Sequence, residues 1–142
     1  MNHTIAVLSD IHYGDAPPEG LSQRRADLGA VLLRRAVERF NRWIRPDLVL
    51  VLGDCLDRPE AAQAADRLRE LRAILDRLTC PWRILPGNHD LPPDGFHAIM
   101  PRAPEREDVG PVRLVSFLDP QDDGWRATRL PAPAIQTYPE IA

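Results

Sequence analysis

The sequence predicts an α/β fold built on a β-α-β-α-β unit with a parallel sheet. Two observations carry that expectation. Short apolar runs at residues 4–8, 48–52 and 82–85 are separated by two long segments whose apolar residues recur at helical spacing. Each run also closes on turn-forming or polar residues, as strands joined by helical crossovers do, and such crossovers are right-handed.

The first run, Thr-Ile-Ala-Val-Leu, ends at Ser9-Asp10 and reads as a buried strand. A loop containing Gly14, Pro17, Pro18 and Gly20 follows, and Ser22 offers a helix N-cap. Leu28, Leu32, Ala36, Phe40 and Ile44 then form an apolar stripe, with Arg24, Arg35, Glu38 and Arg39 largely elsewhere. Pro46 stops this helix, because proline biases its predecessor away from helical backbone. Residues 48–52, Leu-Val-Leu-Val-Leu, are apolar on both faces and belong in the middle of a covered sheet. Gly53-Asp54 ends that strand, and Pro59 suits the first turn of a second helix. Its stripe is Ala61, Ala65, Leu68, Leu71, Leu75 and Leu78, reaching Thr79. The third strand, residues 82–85, is ended by Pro86-Gly87.

Eleven of the 15 prolines stand from Pro81 onward, so long regular elements are not expected there. Residues 112–118 read as one further strand and 94–100 as a single helical turn. The expected organisation is one partial domain over residues 1–130 and a Pro-rich loop or tail over 131–142.

Composition excludes several classes. A net charge of −3 gives no basic field for nonspecific nucleic-acid binding, so nucleic acid is expected only as a substrate. All 18 basic residues are arginine. The N-terminus lacks a charged segment followed by a long apolar one, and no run of eighteen apolar residues occurs, so neither a signal peptide nor a membrane partner is expected. Cys55 and Cys80 are too few for a disulfide framework, which points to the cytoplasm. No glycine-rich dinucleotide or phosphate loop follows the first strand.

The chemistry is concentrated at the C-terminal ends of the three strands: Asp10-Ile11-His12, Gly53-Asp54-Cys55-Leu56-Asp57 and Gly87-Asn88-His89-Asp90. In an open parallel sheet, ligands bind beyond the strands' carboxyl ends, so these clusters should converge. Carboxylate, imidazole and amide oxygen suit manganese, iron or zinc. A carboxylate can bridge two ions, and a pair of ions can hold an attacking hydroxide and clamp phosphoryl oxygens.

Taken together, Asp-x-His, Gly-Asp-x-x-Asp and Gly-Asn-His-Asp, each closing a strand, resemble the first three motifs of the calcineurin-like metallophosphoesterases. The resemblance covers about residues 4–90. It implies an α/β/β/α sandwich and hydrolysis of a phosphate-ester substrate, a phosphomonoester or a phosphodiester, at two divalent metal ions. By that resemblance Asp10 and His12 would ligate the first metal, Asp54 would bridge both, and Asn88 would ligate the second. His89 would stand beside the substrate and aid the leaving oxygen, with Asp90 accepting a hydrogen bond from it. Asp57 would support its loop.

The family pattern continues with a further His and a Gly-His-x-His, and neither is present. The expectation is therefore a chain lacking much of the second sheet. It would hold one weak metal site and show little or no turnover, and an uncovered sheet would be open to homo-oligomer formation. The alternative is a noncatalytic metal- or partner-binding remnant of the same fold. Of the other residues, His97 is a loop histidine or a substitute ligand, and His3 a surface residue at the wrong end of the sheet. Asp119 stands near the site or in a turn with Pro120, Cys55 is a small buried residue before it is a metal ligand, and Trp43, Trp82 and Trp125 serve packing or surface cover.

Overall fold

The computed structural model describes residues 3–16 and 25–116. The Ser22 cap, Arg24, Asp119, Trp125 and residues 131–142 lie outside the described residues. Strands β1 (Ile5–Leu8), β2 (Leu48–Leu52) and β3 (Trp82–Leu85) form a parallel sheet in the order β1-β2-β3. The doubly apolar β2 is central, as its composition requires. Leu8, Val51 and Ile84 stand in one row of this sheet, and Val7, Leu50 and Arg83 in the next. Because side chains alternate between faces, these two rows point to opposite sides.

One side is the core. Helices α1 (Gly29–Arg39) and α2 (Ala64–Leu75) lie on it, burying Leu33, Val37, Leu68, Leu71, Ile74 and Leu75 with Val49, Val51 and Ile84. Phe96 and Met100, on and just after the short helix α3 (Pro93–His97), close the same core. The first helix departs from its expected stripe. Its buried residues are Ala30, Leu33, Val37 and Phe40, whereas Leu32 is 56% exposed and Ile44 41%. A strict four-residue step overshoots a 3.6-residue turn by about 40°, so the Leu28-to-Ile44 series winds around the helix and meets the core only near Ala36 and Phe40. A 3₁₀ turn (Ala26–Leu28) precedes α1 and a π turn (Phe40–Ile44) follows it. The Arg45 N–H closes that turn on the Phe40 carbonyl at 2.7 Å, and Arg45 adopts left-handed backbone at φ 47° before the buried Pro46.

On the other side, strands β4 (Arg106–Val109) and β5 (Val112–Val115) form an antiparallel hairpin. The sequence led us to expect the second strand but not the first, because Arg-Glu-Asp-Val is polar and lacks an apolar run. Its partner β5 and the turn at Gly110 (φ 59°) make it a strand. An ion pair between Arg83 and Glu107 ties the hairpin to β3, and Leu50, Leu85 and Leu114 line the seam. Coverage of this side is partial among the described residues: Val7 is 55% exposed and Leu52 48%. No described helix is long and apolar enough to cross a membrane.

Candidate metal centre

Beyond the strand ends, the chain continues to pair loop against loop. Asp10 N–H donates to the Gly53 carbonyl at 3.2 Å, His12 N–H to Asp54 at 2.9 Å and Tyr13 N–H to Cys55 at 2.8 Å. Asp57 N–H returns a bond to the Tyr13 carbonyl at 3.1 Å. This stitching requires unusual backbone. Asp10 (φ 57°), His12 (φ 44°) and Asp54 (φ 53°) are all left-handed, a region that costs non-glycine residues energy. Gly87 is needed for a different reason: a Cβ there would fall 2.2 Å from Asp54 Oδ1.

The same loops bring three ligand groups together. One donor atom from each of Asp10, His12 and Asp54 lies within 4.8 Å of the others. His12 Nε2 is 3.5 Å from Asp10 Oδ1 and 3.8 Å from Asp54 Oδ2. These gaps are too long for good hydrogen bonds. They are close to the roughly 3.4 Å that separates two ligand atoms bound tetrahedrally to zinc at about 2.1 Å. The His12 ring is buried, and its Nδ1 is enclosed without a hydrogen-bond partner. Asp54 is held in place because its Oδ1 accepts the His89 N–H at 3.0 Å, which leaves Oδ2 toward His12. The Ser9 hydroxyl donates to Asp10 Oδ2. Two carboxylates and an imidazole with this spacing fit a divalent transition metal. It is one cluster; among the described residues a second His, Cys, Asp or Glu group of that kind does not occur.

The third loop flanks it. Asn88 is exposed and stands between Gly87, packed on Asp54, and His89, bonded to Asp54. The His89 ring meets the His12 ring edge-on at 4.8 Å. Its Nδ1 is 3.1 Å from the Asp57 carbonyl. A carbonyl only accepts, so Nδ1 carries a proton and Nε2 is the atom left for other work.

Asp90 departs from expectation. Its carboxylate does not take a hydrogen bond from His89. Oδ1 accepts the N–H groups of Cys55 at 2.9 Å and Leu56 at 3.2 Å, and Oδ2 accepts that of Gly87 at 2.9 Å. The group is 1% exposed, and burial pushes its carboxyl above the usual range despite three backbone donors that pull it down. Burial also drives the Cys55 thiol well up, with Asp90 and Asp54 adding to the shift, which makes it a packed, unreactive thiol. His97 is not in the cluster; its ring stands edge-on to Phe96 with Nδ1 buried and unpartnered. His3 lies 3.7 Å from Asp47, before β2, at the opposite end of the sheet.

A further set of residues was not legible in the sequence. The Tyr13 hydroxyl donates to Glu70 at 2.8 Å, Arg67 lies 5.8 Å over the Tyr13 ring, and Arg67 pairs with Asp15. Fifty-seven residues separate Tyr13 from Glu70, and only the packing of α2 brings them together.

The model of the calcineurin-like phosphoesterase family matches residues 3–130. No curated protein matches the chain.

Proposed function

The chain belongs to the calcineurin-like phosphoesterase family, and from that premise we propose that it is a metal-dependent phosphoester hydrolase acting on a phosphomonoester or phosphodiester. The observation that carries the proposal is the Asp10, His12 and Asp54 cluster, with donor atoms within 4.8 Å and His89 edge-on beside it. In this reading Asp10, His12 and Asp54 would hold one divalent ion, and Asp54 with the Asn88 amide oxygen would serve a second. Bound manganese, iron or zinc would supply Lewis acidity at the phosphoryl oxygens and a water acidic enough to be a nucleophile at neutral pH.

The remaining steps belong to the protein. His89 keeps Nδ1–H on the Asp57 carbonyl, so its Nε2 can carry a proton toward the leaving oxygen. Asp54 fixes the His89 backbone through Oδ1 and turns Oδ2 toward His12, so the acid and the ligand group move as one unit. Asp90 is assigned here as a positioning residue that ties the third loop to the second, not as a group touching substrate.

Calorimetry with manganese or zinc, alongside hydrolysis of an aryl phosphate and an aryl phosphodiester, tests this reading. The expected result is metal binding that His12→Ala abolishes, and metal-dependent turnover that His89→Ala lowers about a hundredfold or more while metal content holds. Turnover indifferent to chelator would rule it out. A second reading, a noncatalytic metal-binding remnant, is favoured by the presence of a single cluster among the described residues. Metal bound with no turnover on either ester would select it.

A further inference from the structure

The outward face of α1 and the π turn that continues it is unlike the rest of the helical surface. Trp43 is 81% exposed, Leu32 56% and Val31 44%. Arg35, Arg39 and Arg42 are exposed too, and among the described residues none has a carboxylate partner. Elsewhere on the helices, Arg34 pairs with Glu70, Arg69 with Asp66 and Arg72 with Asp76. At about 100° per residue these six side chains fall within one wide stripe opposite the buried Ala30, Leu33 and Val37. Among the described residues of this stretch, Glu38 is the one acid beside them.

A stripe of this make-up is not ordinary solvated surface. Exposed apolar side chains ordinarily stand singly, whereas here three of them, one a tryptophan at 81% exposure, are grouped among arginines. Two copies of the chain meeting symmetrically here would place arginine against arginine, which disfavours self-association. A single convex helix also offers no groove to a folded partner. A lipid surface needs none, because headgroups and acyl chains mould around a ridge. Tryptophan and leucine enter the boundary region while guanidiniums meet phosphates.

We propose that the Val31–Trp43 face of α1 docks the protein on an anionic phospholipid surface. The strands and α1 run in opposite directions, so the docked helix would lie along the membrane with its N-terminal end, where Gly29 packs on Tyr13, beside the metal centre. The association is peripheral and independent of the phosphoesterase reading.

The test is co-sedimentation of the full chain with vesicles of phosphatidylcholine alone and of phosphatidylcholine mixed with phosphatidylglycerol, read also by tryptophan emission. Binding to the mixed vesicles is expected to be at least about tenfold tighter than to neutral ones and to weaken as salt is added. A blue shift that disappears in Trp43→Phe should accompany it. Because the positions are exposed, Arg35→Gln/Arg39→Gln/Arg42→Gln and Leu32→Gln should keep native circular dichroism, and each should lose about tenfold or more in binding. Equal binding to both vesicle types, none to either, or full binding by the triple variant would overturn the proposal. So would equally tight binding to soluble polyglutamate without a blue shift, which would make the stripe a site for an acidic protein.

Discussion

Asp90 Oδ1 accepts the backbone N–H of Cys55 at 2.9 Å, across 35 residues of sequence. Through this bond, and those to Leu56 and Gly87, a single buried carboxylate ties the loop after β3 to the loop after β2. Asp54, the residue before Cys55, is thereby held where His89 N–H can reach its Oδ1. The consequence is that Asp90 supports the metal centre through the backbone, not through the His89 ring.

Asp90→Asn separates these roles. The amide oxygen can still serve Cys55 and Leu56, but the amide N–H₂ would face the Gly87 N–H, donor against donor. Leaving that partly buried donor unmet costs about 1 kcal/mol, the low end of the usual penalty. Urea denaturation with chelator present should show the loss, and metal affinity should fall with it. The acid limb of a pH–rate profile should stay where it is. A displaced limb with unchanged stability would restore the direct His89 role.

The strand ends show how far the sequence alone could reach. The apolar runs, the glycines at 53 and 87 and the three polar clusters were sufficient for β1-α1-β2-α2-β3 and for convergence at the strand ends, because period and strand polarity are local properties, while the family resemblance singled out Asp10, His12 and Asp54. What was lost depended on tertiary contact. Strand β4 exists because β5 pairs with it and Glu107 meets Arg83. The partners of Asp90 are backbone groups, which no residue pattern encodes. The stripe of α1 was misphased because its apolar residues occupy two faces, only one of which meets the sheet.

The left-handed backbone of Asp10 predicts an unusual ranking of variants. An L residue with a Cβ pays about 1–2 kcal/mol at φ 57°, and glycine does not. Asp10→Gly should therefore be more stable than Asp10→Ala by about 1 kcal/mol, although glycine is ordinarily the more costly replacement. Both should lose metal binding, since both lack the carboxylate. Thermal unfolding in chelator measures the first effect and calorimetry the second. Alanine matching or exceeding glycine in stability would contradict the strain.

Tyr13 should matter to metal binding without touching the ion. Its hydroxyl reaches Glu70 on α2, and its backbone is bonded on both sides to the loop after β2, so it holds His12 from the next position. Tyr13→Phe keeps the ring under Arg67 and removes one hydrogen bond, a loss of about 1 kcal/mol. A severalfold weaker manganese affinity is expected, and in the chain that keeps Tyr13, Glu70→Gln, which still offers an acceptor oxygen, should retain more of the affinity than Glu70→Ala. Affinity equal to the parent chain would reduce the Tyr13–Glu70 bond to surface decoration.

His97 gives the fold a dependence on pH that can be isolated. Burial lowers its pKa from 6.5, and Arg102 lowers it further, against weaker opposing contributions from the Met100 backbone and Asp94. The neutral ring is thus the form that the folded state prefers. Its contribution is fully present above pH 6.5, where the unfolded chain is also neutral. It is lost as pH falls below 6.5 through the depressed folded value, because the unfolded chain takes up the proton first. His97→Leu removes the titration, keeps a side chain that can pack against Phe96 and eliminates the unpartnered Nδ1. The urea midpoint of the parent chain should drop between neutral and mildly acidic pH by more than that of the variant. The two proteins differ only at residue 97, so identical pH dependence would mean that the His97 environment does not discriminate between its two protonation states.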